Sequence, residues 1–119
     1  MSTTVSDTSE LGVAPELSAF QRQILAVLAE EARYGLAIKR ELEAYYDQEI
    51  NHGRLYPNLD DLVELGLVEK SARDRRTNEY ALTEAGRDTI TTQLSWVFSR
   101  FVTDEDRATE LETLVDDAR

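Results

Sequence analysis

Apolar residues first fall into step at Leu17. From there to Glu30, the residues Leu17, Phe20, Ile24, Val27 and Leu28 recur three or four apart, with Leu25 beside them. That spacing predicts an amphipathic helix, and Pro15 just ahead of it suits a helix start. After a break at "EEARYG", a second stripe of Ala37, Ile38, Leu42 and Tyr45 predicts a helix over Tyr34–Tyr46, and Asp47–Asn51 reads as a short connection. A third stripe follows, with Leu55, Leu59, Leu62 and Val63 on one face and Asp60, Asp61 and Glu64 on the other side. Asn51 suits the N-cap of this helix, which then starts at His52, and Gly66 suits its terminator. Pro57 falls early in it, so a kinked or tightened first turn is expected.

The period then changes. Residues 67–72 and 79–83 are short and β-prone, and they flank the polar "RDRRTN", which predicts a two-stranded hairpin with a basic tip. Such a hairpin needs helices to pack on. Helical spacing returns with Ile90, Leu94, Val97, Phe98 and Phe101. A last helix reaches Ala118, with Ala108, Leu111, Leu114 and Val115 as its stripe. Thr103 and Asp106 resemble a capping box at its start. The fold class is therefore mainly α with a small β-hairpin. Three helices and a hairpin make a winged helix-turn-helix, whose third helix enters the DNA major groove by its N-terminal residues.

Charge changes the picture. Thirteen Lys and Arg stand against 24 Asp and Glu, a formal net charge of −11 in 119 residues, and that argues against a nucleic-acid partner. Two observations weaken the objection. Only two lysines are present, Lys39 and Lys70, and the balance suits the acidic surface of a halophile protein, whose repulsions are screened within about 3 Å near 1 M salt. From Arg33 to Arg76, moreover, eight bases meet nine acids, so nearly all the surplus lies elsewhere.

Several function classes drop out. The chain has no cysteine and one histidine, His52, so disulfides, thiolate metal sites and a histidine-based metal cluster are excluded. No catalytic constellation or glycine-rich phosphate loop is present, and no cofactor is expected. No apolar run reaches the ~18 residues of a membrane span. The start "MSTTVSDTSE" lacks the features of a signal peptide, so a cytoplasmic protein is expected. Residues 1–14 read as a disordered segment, 15–83 as the winged helix-turn-helix and 84–119 as C-terminal helices.

"YGLAIKRELE", then "NHGRLYPNLDDLVELGLVEK", a charged turn and "EYALTEAG" together resemble the PadR-type winged-helix transcriptional regulators over about Phe20 to Gly86. The resemblance implies a homodimeric, sequence-specific regulator of double-stranded DNA, with the helix after the wing supplying dimerisation. Ile90, Leu94, Trp96, Val97, Phe98 and Phe101 are the candidates there, with Leu111 and Leu114 from the last helix. Some relatives bind flat apolar ligands through an aromatic on this helix, so Trp96 meets either a ligand or, as the plainer reading, the dimer partner.

The residues give the DNA contacts their chemistry. At the helix start, Asn51, His52 and Gly53 present backbone amides to a phosphate or base edge. Arg54 suits a bidentate guanine contact, and Asn58 an adenine or a phosphate. Asp60, Asp61 and Glu64 lie further along, where they can point away from the duplex. Tyr34 and Tyr56 either donate hydroxyls to phosphate or pack. Lys39 and Thr77 join the candidates, and Arg73, Arg75 and Arg76 at the hairpin tip suit a narrow minor groove. Against each stands a plain surface or packing role. Bound salt ions at the DNA interface are a further expectation. The rival from another class is an acidic winged-helix adaptor that does not bind DNA.

Overall fold

The computed structural model describes residues 16–74 and 77–118. Its elements run α1 (Ala19–Glu30), β1 (Arg33–Tyr34), α2 (Gly35–Tyr46), α3 (His52–Glu64), β2 (Val68–Ala72), β3 (Asn78–Leu82), α4 (Glu84–Phe101) and α5 (Glu105–Ala118). The helices match the hydrophobic periodicity. Phe20, Ile24, Leu25 and Leu28 of α1, Ile38 and Leu42 of α2, and Leu55, Leu59 and Leu62 of α3 are all buried. Ile50, Leu67, Val68 and Tyr80 complete this core.

The ends differ from the sequence expectation in ways that side-chain hydrogen bonds explain. Helix α1 starts at Ala19, not near Pro15, which lies outside the described residues, as do 1–14. Ser18 Oγ accepts from the Gln21 amide while Gln21 Oε1 accepts from the Ser18 amide, a capping box that fixes the start. Leu17 is thus outside the helix yet still buried. At α5 the cap is Asp104 rather than Thr103: its carboxylate accepts from the Arg107 amide at 2.9 Å. Tyr45, placed in the α2 stripe by spacing, is 66% exposed, and its neighbour Tyr46 turns toward the core instead.

The sheet has three strands, not two. Arg33–Tyr34 pairs with β3 in the order β1–β3–β2, with Arg33 opposite Tyr80 and Tyr34 opposite Glu79. In the hairpin proper Lys70 faces Tyr80. A two-residue strand leaves no periodicity to read, so β1 was invisible to spacing.

The α3–β2 turn is built as expected at Gly66, with φ of +80°. The Leu67 amide bonds Leu62 O and the Gly66 amide bonds Val63 O, both at 3.0 Å, the two bonds of a Schellman motif. Thr83 then ties the wing to α4: its hydroxyl donates to Gly66 O at 2.7 Å and accepts from the Gly86 amide at 3.0 Å. Gly86 is packed so tightly that a Cβ there would sit 2.1 Å from Leu67 O. Beyond this joint burial collapses, since Gly86 is the one buried residue of α4 and α5 has none.

Candidate nucleic-acid interface

Helix α3 begins as the sequence implies. Asn51 is extended and its side chain accepts from the Arg54 amide at 2.8 Å. The amides of His52 and Gly53 have no intrahelical partner, so they point out of the helix end with the positive pole of its dipole. Gly53 is exposed, and the nearest atom to an added Cβ would be Asn51 Oδ1 at 3.4 Å. Glycine costs a helix interior ~1 kcal/mol relative to alanine, and no described residue needs Gly53 to be so small.

Pro57 leaves α3 unbroken from His52 to Glu64. Having no N–H, it gives the Gly53 carbonyl no helical donor. The exposed ridge of α3, at spacings of four, three and four, is Gly53, Pro57, Asp60 and Glu64. The carboxylates of Asp60 and Glu64 thus share a face with Gly53 instead of turning from it. Only the first turns of α3 can approach a phosphate-lined groove closely.

A second feature lies beside them. Tyr34, Gly35, Tyr56, Thr77 and Asn78 line a concavity of about 400 Å³. Tyr34 occupies the N-cap of α2 without a side-chain cap bond, so the first α2 amides open toward this hollow. The Tyr56 ring lies across Gly35: a Cβ on Gly35 would be 2.5 Å from Tyr56 Oη. His52 packs against Tyr56 at a tilt of 44°, with ring centroids 5.4 Å apart. Hydroxyls and free helix amides around one hollow make a suitable seat for an anionic oxygen. Tyr34, Tyr56 and Thr77 are therefore brought together, and Gly35 is the residue that lets them meet. Sequence reading gave that glycine no such role.

The other expected cations are more committed. Lys39 pairs with Glu43 at 2.8 Å. Glu43 also accepts from the Ile50 amide, and that bond, with Lys39, holds its carboxyl below the usual range. Lys39 thus braces the α2–α3 turn. Arg73 pairs with Glu79 back along the wing, which raises its pKa further and keeps it charged. Arg75 and Arg76 lie outside the described residues. Asn58, expected on a base, donates to Arg54 O at 2.7 Å and accepts from Gln21 Nε2 at 3.1 Å. The guanidinium carbon of Arg54 lies 4.0 Å from the Phe20 ring centre and 5.6 Å from that of Tyr46. Phe20, Gln21 and Tyr46 come from other helices, so no local pattern could have flagged them.

On α4 and α5 the expected dimer residues are mostly open. Leu94 is 47% exposed, Trp96 60%, Val97 50%, Phe98 41% and Leu114 56%; Ile90, Phe101 and Leu111 are partly covered. Trp96 and Val97 line an open groove of about 480 Å³ with Arg22, Thr92 and Gln93, and Arg100 caps the indole at 4.9 Å.

The model of the transcriptional regulator PadR-like family matches residues 24–92, more than half the chain, from within α1 through the wing and into α4. The chain belongs to the PadR-like family of transcriptional regulators. Among solved structures, a complex of RosR denoted RosR-S1 is 65% identical, with 88% of this chain and 94% of that one covered and a TM-score of 0.85. RosR of Halobacterium salinarum grown from NaBr is 64% identical, with coverages of 89% and 96% and a TM-score of 0.85. The winged-helix DNA-binding protein F93 from STIV, 19% identical over 75% of this chain and 98% of its own with a TM-score of 0.62, shares the fold. No curated protein matches the chain. The fold is a winged helix, and the family is one of regulators rather than enzymes. The acidic composition agrees with kinship to a halophile's protein. No described helix is long and apolar enough to cross a membrane.

Proposed function

We propose that the chain is a sequence-specific DNA-binding regulator acting in the cytoplasm as a homodimer on pseudo-palindromic promoter sites. Residues 15–83 bind DNA and 84–119 join the protomers. The observation that carries this reading is the start of α3, where Gly53 exposes helix-end amides next to Arg54 although the fold itself makes no use of its smallness. The hollow between Tyr34, Tyr56 and Thr77 takes a backbone phosphate beside it, so the site offers a groove contact and a phosphate contact on one side. Arg75 and Arg76 add positive charge by sequence, between Asp74 and Thr77. The open apolar faces of α4 and α5 support pairing of two copies. Trp96 packs there against the partner protomer.

Few free cations serve this surface, and the Asp60–Glu64 ridge faces the same way. Salt cations held between those carboxylates and the phosphates relieve the repulsion. The ridge, with the formal net charge of −11, favours an acidic adaptor that does not bind DNA. Gel shifts on promoter fragments over a salt series separate the two. Sequence-preferring binding at one or more salt concentrations is expected, and its absence at every concentration leaves the adaptor.

A further inference from the structure

Two ways of holding a cation stand out among the described residues of the helix-wing unit. Arg33, Lys39, Lys70 and Arg73 each have a carboxylate within 4 Å. Arg54 has none among the described residues. Its guanidinium lies instead over Phe20, a core side chain only 5% exposed, with Tyr46 as a second wall. The two rings are 6.0 Å apart and inclined by 32°, so they form a shallow shelf under one face of the cation. A contact of this kind leaves the guanidinium N–H groups unclaimed by any carboxylate among the described residues.

The backbone of Arg54 is braced as well. Its amide donates to Asn51 Oδ1, and its carbonyl accepts from Asn58, whose own oxygen is held by Gln21. The backbone of the residue is thus held at both ends, and its guanidinium rests against the rings, before any partner arrives.

We infer that Phe20 and Tyr46 are positioning residues that hold Arg54 as the specificity-determining side chain of the groove contact, with Asn58 as its brace rather than a base reader. This rests on the DNA-binding reading above. A bidentate contact to guanine needs the planar fork in one orientation, and an arginine already laid on a ring loses less rotamer freedom on binding. An aromatic hold also tolerates salt better than a carboxylate pair, whose attraction is screened. It leaves no carboxylate at the base edge to repel the duplex.

Two measurements on the full chain test it. In the free protein, the Arg54 side-chain protons should show an upfield ring-current shift in NMR that Phe20→Leu removes. In competition binding against single-base variants of a selected site, Phe20→Leu should weaken specific binding about two- to fivefold, the range of an exposed cation–π contact. Affinity for random DNA should hold, and preference should relax at the position that Arg54→Ala also relaxes. In an Arg54→Ala background Phe20→Leu should change nothing further. Tyr46→Leu, at a half-buried site, repeats the test should Phe20→Leu fail to fold. Equal loss on specific and random DNA overturns the inference, and so does a loss undiminished without Arg54. A missing ring-current shift beside intact selective binding overturns the shelf alone. No selective binding by the unsubstituted protein overturns the DNA reading itself, whatever the ring-current shift.

Discussion

From Phe20 to Tyr80 and from Ile90 to Val115 the chain carries similar apolar stripes, with opposite outcomes. In the first region, Ile24, Ile38, Leu42, Leu55, Leu59 and Leu62 reach 2% exposure or less, because three helices and a sheet close over one another. In the second, Leu94, Trp96, Val97, Phe98, Leu114 and Val115 remain between 41% and 60% exposed. Periodicity identifies a helix and its apolar face, but not what covers that face. A run of large apolar residues left open over two successive helices marks an interaction surface, and in a chain of this family a second copy is the occupant we propose.

The joint between the regions offers the largest effect. Gly86→Val puts a Cβ against the Leu67 carbonyl, where backbone cannot yield as a side chain end can. A loss of ~3 kcal/mol or more is expected, read as a fall in the thermal midpoint of the whole chain.

The second test breaks the comparison within the arm. Phe98→Asp should weaken self-association by ~2–4 kcal/mol, as loss of a central interface side chain does, with sedimentation shifting toward monomer. The circular dichroism of the helix-wing region should stay native. Leu59→Asp, the same kind of change inside the first region, should instead unfold it.

Within the first region, Gly35→Ala sharpens the distinction between packing and binding. The added Cβ meets the end of the Tyr56 side chain, which can swing aside, so stability should hardly move. The displaced ring spoils the hollow beside α3, and DNA affinity should fall by ~1 kcal/mol, judged by titration. In a Tyr56→Leu background that loss should vanish.

The smallest effect is a pH dependence. Ile50 N–H and Lys39 hold the Glu43 carboxyl below its ordinary value of 4.5. A depressed carboxyl contributes stability above its unfolded pKa and loses it as pH falls through the lower folded value. Glu43→Gln should therefore flatten the acid side of the stability profile below about pH 5, a range set by ordinary carboxyl titration. Measured unfolding midpoints that keep the same acid slope would remove Glu43 from this account.

Much of this was legible in sequence, for identifiable reasons. The stripes of α1 to α4, the Asn51 cap and the Gly66 stop depend on residues within a turn or two of each other. What escaped depended on distance. Strand β1 is two residues recruited by Tyr80 and Glu79 from across the fold. Gly35 and Gly86 looked like motif letters, and their close neighbours Tyr56 and Leu67 explain them only in three dimensions. At the site, Arg54 and Asn58 were visible as polar residues at a helix start. That one lies on Phe20 and the other is bound by Gln21 could not be read from either stretch alone. Asp60 and Glu64 show the opposite case: the sequence reading lets them point away from the duplex, whereas the helical ridge aligns them with Gly53.

The central claim is that the first region meets DNA while the arms set the distance between two such heads. Hydroxyl-radical footprinting of a selected promoter site tests it most directly. The account predicts two protected patches centred ~34–36 Å apart, one helical turn, with Phe98→Asp reducing protection to weak, separate halves. A single protected patch from the unsubstituted protein, or protection unchanged by Phe98→Asp, would contradict it.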